Sequence, residues 1–346
     1  MNIKFKTYVL IFLCLIITYL YKNKKYDIGE NGMVSALSNA QSYENNILKV
    51  EKNSILSHIE NLSRYDRVCG SNGEKKASDY LINMLNSYEY NIDIQEFTAY
   101  KQIKPKKINT EINSYLTLED DKSKPGYNTK NIIAKNKNFD DSKKTIYLAA
   151  HYDSEVKTSG VIDNSTGVSV VLEIARILQS YKGDINIVPI FFGAEELGLV
   201  GSRYFVNHLA KREISNTIGC INIDMVGIKG SEGIIMWSYD LKNKNSIENF
   251  EVNDNVLTRM INNKISDQIE NILGFGTDAI AFYGEKIPAV TLTSKLSDRE
   301  IAYKTKDEQL KSINFDELNN LCENLSKFLN EFNLKEYKTY LQSTYN

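Results

Sequence analysis

The middle of the chain contains two short apolar segments that constrain the fold more than any other feature. They cover residues 145–150 and 185–192, and a segment with helical periodicity lies between them. Each has the length of a buried strand, and strands connected through a helix pack in parallel in one sheet. Residues with metal-binding side chains follow both segments. We therefore expect these side chains at the carboxyl edge of the sheet, where ligands collect in open α/β folds.

Helical and strand patterns continue to alternate on both sides of this central stretch. Helical periodicity is present at 47–62, 74–88, 202–212, 256–269 and 315–332, and further strand patterns are present at 91–97, 131–134, 218–226, 234–238 and 286–292. This alternation predicts an α/β fold with a mixed, mainly parallel central sheet and helices on both faces. No linker interrupts the pattern, so residues 47–340 are predicted to form one domain.

The overall composition argues against two classes of protein. The formal net charge is −2, so the chain lacks the basic balance that is typical of nucleic-acid binding. Its four cysteines are widely spaced and form no CxxC pair, which argues against a disulfide framework and a cysteine-bound zinc site. The chain has three histidines, and we expect His58 and His208, which lie in helical patterns, to be structural.

An apolar segment near the N-terminus predicts attachment to a membrane. Residues 7–21 are almost wholly apolar and have lysines on both sides. The segment is short for a spanning helix, which needs about 17–25 residues, but no small-x-small cleavage site follows it closely. We therefore expect a signal anchor helix at 1–21, with a cleaved signal peptide as the alternative, and a polar tether at 22–46. The domain is then expected outside the cytoplasm at the cell membrane, single-pass, or secreted after cleavage.

The first candidate site residues are His151 and Asp153, which follow the apolar segment 145–150. Residues two apart on a strand point to the same side, so Asp153 can accept a hydrogen bond from the second imidazole nitrogen of His151. A carboxylate in that position fixes the tautomer of a metal-binding histidine and raises its basicity. The pair alone is equally compatible with an ordinary surface histidine and aspartate.

Further acidic residues are expected at the same edge. Asp163 precedes a helical pattern, where a helix N-cap is the alternative interpretation. Glu195 and Glu196 follow the second apolar segment, where a charge pair at a helix start is the alternative. Asp224 lies at the end of an apolar strand pattern, where an unpaired carboxylate would be costly. Together with His151, these residues form a donor set suited to zinc, or to manganese or cobalt.

The sequence around these residues resembles a known family, the co-catalytic zinc aminopeptidases of metallopeptidase family 28. Four segments are similar to the core motifs of that family in order and spacing. These segments are AAHYDS (149–154), GVIDNSTGVSVVLEIAR (160–176), FFGAEELGLVGSRYF (191–205) and INIDMVG (221–227). The resemblance extends over about residues 52–330. It implies a zinc exopeptidase, or phosphorylase/hydrolase-like, fold for the domain at 47–340, with a peptide as substrate.

The resemblance also implies a role for each candidate residue. The expected metal ligands are His151 and Asp224 for one ion, Glu196 for a second ion, and Asp163 as a bridge between both. Glu195 is expected to be the general base and acid, and Asp153 is expected to orient His151. A metal polarises the scissile carbonyl and lowers the pKa of water. Glu195 would take the proton of that water and later give it to the leaving amine.

One position departs from the family pattern. The second metal usually takes a histidine before the last helix, and Lys304 occupies the matching position in the segment 303–307. No histidine follows His208, so a shifted alignment cannot supply one. Three interpretations remain open. The Lys304 ammonium takes the place of the second metal and pairs with nearby carboxylates, an oxygen ligand such as Asp298 or Asp307 completes the site, or Lys304 is simply exposed.

Together with this resemblance, these patterns predict a zinc-dependent, membrane-anchored exopeptidase of the aminopeptidase type, with one tightly bound zinc. The alternatives are a catalytically silent relative with a binding or structural role, and a single-zinc acyltransferase similar to glutaminyl cyclase. Peptide is the expected partner, and nucleic acid is not. A second altered segment, residues 277–279, reads Thr-Asp-Ala where the family has an SDH-like sequence.

Overall fold

The computed structural model describes residues 50–103, 118–238, 255–265, 269–272, 276–295 and 300–345. The predicted anchor at 1–21 and the predicted tether at 22–46 lie outside these ranges. Within the described ranges, no helix combines the length and the apolar character that a membrane crossing needs.

A mixed sheet of eight strands forms the centre of the described structure. The strands of the protein are β1 (Asn91–Ala99), β2 (Gln102–Ile103), β3 (Glu119–Asp120), β4 (Tyr127–Lys135), β5 (Lys144–His151), β6 (Ile185–Phe192), β7 (Thr217–Ile223), β8 (Ile234–Ser238), β9 (Asn271–Ile272) and β10 (Ala289–Ser294). The sheet order is β1-β4-β6-β5-β7-β10-β8-β9, and β2 pairs with β3 separately. The inner strands β6, β5, β7 and β10 are parallel to one another. The pairs β1–β4, β4–β6 and β10–β8 are antiparallel, and β9 is parallel to β8. The predicted mixed α/β fold is confirmed.

Helices cover both faces of this sheet. They are α1 (Lys52–Leu62), α2 (Asn72–Ser87), α3 (Thr166–Leu178), α4 (Val200–Asn207), α5 (Lys211–Asn216), α6 (Val256–Lys264), α7 (Ala279–Gly284), α8 (Lys306–Lys311), α9 (Phe315–Asn330) and α10 (Leu334–Tyr345). On β5, Ile146 and Leu148 pack in a core with α1, α2, α3, α6 and α9. The intervening Tyr147 and Ala149 pack in a second core with α4 and α7. Because neighbouring strand residues point to opposite faces, both faces of β5 are buried.

The helix α3 lies in the interior and carries a buried acid. It is apolar nearly all round, as expected of a helix that does not face solvent. The carboxylate of Glu173 on α3 is fully buried. It accepts hydrogen bonds from the backbone N–H of Glu51 at 2.7 Å and from the Arg176 guanidinium at 2.8 and 2.9 Å. The start of the described chain is thereby attached to the centre of the domain.

Two predicted elements differ from the observed ones in their bounds. The predicted helix at 202–212 consists of two helices, α4 and α5, because Ala210 has an extended conformation with ψ 153°. The predicted strand at 218–226 ends at Ile223, because the chain turns at Met225, which has a φ of 52°. The second difference matters for the site, since the turn leaves Asp224 just beyond the carboxyl end of β7.

Candidate metal centre

The imidazole of His151, at the end of β5, is surrounded by carboxylates. Its Nε2 atom lies 3.0 Å from Oδ1 of Asp163 and 3.5 Å from Oδ1 of Asp224. Its Nδ1 atom lies 3.5 Å from Oδ1 of Asp153. Potential ligand atoms of His151, Asp163 and Asp224 are all within 4.8 Å of one another. The structure therefore brings together three residues that span more than seventy positions in the sequence.

The amide side chain of Asn164 connects the segment of Asp163 to the end of β7. Its Nδ2 donates to the carbonyl of Ile223 at 2.9 Å, and its Oδ1 accepts from the N–H of Met225 at 3.2 Å. These two contacts are made on either side of Asp224 in the sequence. The peptide bond between Asp163 and Asn164 is cis. Asn164 thus fixes the positions of two candidate ligands relative to each other.

The buried carboxylate of Asp153 connects the loops that follow β5 and β6. It accepts hydrogen bonds from the backbone N–H groups of Glu195 at 3.0 Å and of Glu196 at 3.2 Å. Potential ligand atoms of His151, Glu195 and Glu196 also lie within 4.8 Å of one another. His151 is therefore common to two overlapping groups of candidate ligands. Beyond the predicted contact with His151, Asp153 holds the main chain that carries both glutamates.

The protonation of this cluster reflects its burial and its excess of carboxylates. Burial raises the pKa of Glu195 well above its usual range, although the nearby His151 opposes the shift. Burial and the carboxylate of Asp163 raise the pKa of Glu196 to about 9. Burial alone would lower the pKa of His151, but Glu195 and the neighbouring aspartates raise it well above its ordinary value. A divalent cation binding here would displace protons from the cluster.

Asp278 is a buried carboxylate beside this cluster for which the sequence patterns predicted no role. It is 1% exposed, and neither of its oxygens has a hydrogen-bond partner among the described residues. The nearby hydroxyl of Ser202 donates instead to the carbonyl of Leu199 at 3.3 Å. Burial raises the pKa of Asp278 to about 7, with His151 opposing the shift. The only sequence signal was its place in the altered segment at 277–279.

The structure places Lys304 on an exposed surface after a short 3₁₀ turn. Among the ion pairs between described residues, none joins Lys304 to Asp163 or Glu196. Asp307 is exposed on α8, and Asp298 lies outside the described residues. The structure therefore favours the interpretation of Lys304 as an exposed lysine over that of an ammonium in place of the second metal.

The two other histidines make local contacts away from this centre. His58 is buried, and its ring nitrogens lie 2.7 Å from the hydroxyl of Tyr80 and 3.0 Å from that of Ser54. Burial lowers the pKa of His58 to about 4. The ring of His208 stacks on that of Tyr204 at a centroid distance of 4.0 Å. Both arrangements agree with the expected structural roles.

The residues present fit a zinc ion. Nε2 of His151 faces the carboxylates of Asp163 and Asp224. Within the described part of the chain, Oδ1 of Asp224 is buried and lacks a hydrogen-bond partner. An imidazole with two or three carboxylates is a donor set that zinc accepts, and three protein ligands leave a position open for catalysis. The fold and the site together define a class, that of α/β proteins with a metal site at the carboxyl edge of the central sheet.

The chain belongs to peptidase family M28, because the model of that family matches residues 131–329. The matched segment includes all the candidate ligands as well as Lys304. The resemblance found in the sequence is thereby confirmed.

Curated relatives match parts of this chain, and solved structures share its fold. Aminopeptidase YwaD from Bacillus subtilis is 49% identical over 82 residues, which are 24% of this chain and 18% of that protein. The alignments with the curated relatives span about a fifth of the length of those proteins. Among solved structures, BSAP, a zinc aminopeptidase from Bacillus subtilis, has a TM-score of 0.64 at 18% identity, covering 82% of this chain and 95% of that chain. The glutaminyl cyclase from Porphyromonas gingivalis has a TM-score of 0.60 at 20% identity, covering 82% and 98%.

Proposed function

We propose that this chain is a zinc-dependent exopeptidase that removes N-terminal residues from peptides. The observation that carries the proposal is the convergence of potential ligand atoms of His151, Asp163 and Asp224 within 4.8 Å, with a carboxylate oxygen of Glu195 within 4.8 Å of the same imidazole. This arrangement provides a metal-binding group and a separate carboxylate for proton transfer. Family membership supports the peptide as substrate.

The metal would be held by His151, Asp163 and Asp224. When bound, zinc supplies Lewis-acid chemistry that activates water and polarises the scissile carbonyl. Asp153 orients the ligand His151 through the Nδ1 side of its ring and holds the backbone of the glutamates. This leaves Glu195 as the residue that moves a proton.

The chemical environment of Glu195 suits both halves of general acid–base catalysis. Burial increases the affinity of its carboxylate for a proton, and the charge of a neighbouring His151 decreases it. A carboxylate with these opposing influences can accept the proton of the attacking water and then donate it to the leaving amine.

We further propose about one tightly bound zinc per chain, since a catalytic zinc site typically has three protein ligands and an open position. A second ion would rest on Asp163 and Glu196 without the family histidine, because Lys304 occupies that position. We also retain the proposals of one folded domain at 47–340 and of attachment to the cell membrane through 1–21.

Measurement of metal content and turnover on the purified full chain tests the function. We expect bound zinc by mass spectrometry, release of chromophore from a panel of aminoacyl p-nitroanilides, and loss of both after chelation. The replacement Glu195→Gln should retain zinc and lower turnover about 10²–10⁴-fold, the typical contribution of a general acid–base group. Exposed Glu232 provides a matched control, and Glu232→Gln should leave both readouts unchanged.

Three results would contradict the proposal. Bound zinc without turnover of any aminoacyl substrate would support a catalytically silent relative. Conversion of N-terminal glutaminyl peptides to pyroglutamyl products would instead support the cyclase chemistry named for a structural neighbour. Unchanged turnover in Glu195→Gln would remove Glu195 from its assigned role.

A further inference from the structure

The side chain of Arg67 is fully buried behind the metal centre and is fixed by main-chain carbonyls. It extends from the turn between α1 and α2 and has no solvent exposure. Its Nε donates to the carbonyl of Tyr152 at 2.7 Å, and its Nη2 donates to that of Gly160 at 2.8 Å. Its Nη1 donates to the carbonyls of Leu62 at 3.1 Å and Ser159 at 3.3 Å.

These contacts hold both ends of one loop. The loop at 152–160 connects β5, which ends with the ligand His151, to the segment that carries Asp163. The main chain of Arg67 strengthens the first end, because its N–H donates to Oγ of Ser154 at 2.9 Å and its carbonyl accepts from the N–H of Ser154 at 3.1 Å. A single residue thereby fixes the start and the end of the loop that separates two candidate ligands.

The backbone of Gly160 provides independent evidence for a close fit. Gly160 has a φ of 59°, which favours glycine. A Cβ added there would lie 2.5 Å from Nη2 of Arg67 and 2.9 Å from the carbonyl oxygen of Asp163. The position therefore accepts no side chain while Arg67 occupies its place, and the guanidinium is in direct contact with the backbone of Gly160, three residues before Asp163.

The charge of Arg67 distinguishes positioning from simple electrostatics. Among the described residues, no carboxylate oxygen lies within ion-pair distance of its guanidinium, and the hydrogen bonds described above all go to carbonyls. Burial lowers its pKa to about 10, and the carboxylates of Asp153, Asp163 and Glu196 oppose that shift. The side chain is therefore a cation beside the site, and a cation repels a divalent metal.

We propose that Arg67 is a positioning residue of the metal centre, which sets the separation of His151 and Asp163 by holding both ends of the loop at 152–160. The proposal rests on the metal-binding part of the proposed function and not on turnover. Positioning and charge have opposite effects on metal affinity. Loss of positioning weakens metal binding, whereas loss of a repelling charge strengthens it.

The test uses the full chain with Co²⁺ and Zn²⁺ as probes, and it measures dissociation constants by chelator competition and the visible spectrum of the Co²⁺ form. We expect Arg67→Met to bind both metals about 10–100-fold more weakly, the usual effect of removing a group that orients ligands. Arg67→Lys keeps the charge but not the planar fork of donors, and we expect similar weakening. Both variants should also change the Co²⁺ spectrum, which reports ligand geometry.

Two further variants complete the design. Arg212→Met is the control, because Arg212 is an exposed arginine on α5, before the start of β7, that donates to the carbonyl of Asp141 at 3.2 Å, and we expect unchanged metal binding. Ser154→Ala removes only the acceptor of the Arg67 N–H, and it should weaken metal binding in the same direction by a smaller factor. This variant tests the proposal even where Arg67→Met fails to fold.

Equal or tighter metal binding by folded Arg67→Met would overturn the proposal, since charge repulsion would then be the main effect of Arg67. Full affinity in both Arg67→Lys and Ser154→Ala would overturn it as well. Failure of the unmodified chain to bind either metal is a different outcome, which would contradict the proposed function itself.

Discussion

Replacement of Asp278 by asparagine measures how much stability the metal-free protein loses because this buried carboxylate ionises. Asp278 is 1% exposed, and neither oxygen has a hydrogen-bond partner among the described residues. Asparagine has nearly the same shape and no charge. We therefore expect Asp278→Asn to stabilise the metal-free protein wherever the aspartate would be ionised.

The magnitude follows from the shift of its pKa. Burial raises the pKa of Asp278 from 3.8 to about 7. Between these values the folded protein binds more protons than the unfolded chain, so stability falls as pH rises, and the loss is complete above the folded pKa. A shift of about three pKa units corresponds to roughly 4 kcal/mol of free energy of unfolding. From about pH 4.5 to pH 8.5, ionisation of Asp278 should lower the free energy of unfolding of the parent protein by roughly 3 kcal/mol. The variant cannot ionise at this position and should not show that decrease.

Urea denaturation of the chelator-treated protein at these two pH values measures the difference. The advantage of Asp278→Asn over the parent should grow by about 3 kcal/mol from the lower to the higher pH. The exposed Asp79, which pairs with Lys75 at 2.7 Å, provides the control, and Asp79→Asn should change stability equally at both pH values. An advantage of Asp278→Asn that does not depend on pH would refute the reasoning.

Three other changes have defined outcomes. Gly167→Ala should lower the free energy of unfolding by about 1–3 kcal/mol. The new Cβ would lie 2.3 Å from Oδ1 of Asn164 and 2.4 Å from the carbonyl of Ile223, and unchanged stability by calorimetry would contradict this prediction. Lys304→His should raise zinc content from about one per chain toward two, whereas two tight zinc ions in the unmodified protein would show that another ligand completes the second site. Removal of residues 1–30 should leave a soluble protein with an unchanged circular-dichroism spectrum, and insolubility with loss of that spectrum would place the N-terminal segment in the core.

The positions of the candidate ligands were predictable because these residues directly follow strand patterns in the sequence. His151 and Asp224 follow apolar strand patterns, and the carboxyl ends of parallel strands lie at one edge of a sheet. Glu195 and Glu196 follow β6 in the same way. The order of strand patterns in the sequence therefore predicts which side chains lie together at one edge of the sheet.

The surroundings of the ligands were not predictable in this way. Arg67 is held beside the site by hydrogen bonds to main-chain carbonyls. Every residue has such a carbonyl, so the sequence does not indicate which of them accept these hydrogen bonds. Asp278 lies at the start of a short helix, a position where aspartate commonly caps the helix. The sequence pattern therefore gave no indication that its carboxylate is buried. The orientation of Lys304 depends on a loop rather than on a strand, and loops carry no periodicity from which a direction could be read.

The contact between Glu51 and Glu173 determines how far the chain can be shortened from its N-terminus. Truncation up to residue 50 leaves the N–H of Glu51 in place for the buried carboxylate of Glu173. Truncation beyond residue 51 removes that donor, and Arg176 alone would have to compensate the charge. A hydrogen bond to a charged group contributes about 1.5–3 kcal/mol. A buried acid in the interior helix α3 therefore stabilises the start of the described chain, more than one hundred residues earlier in the sequence.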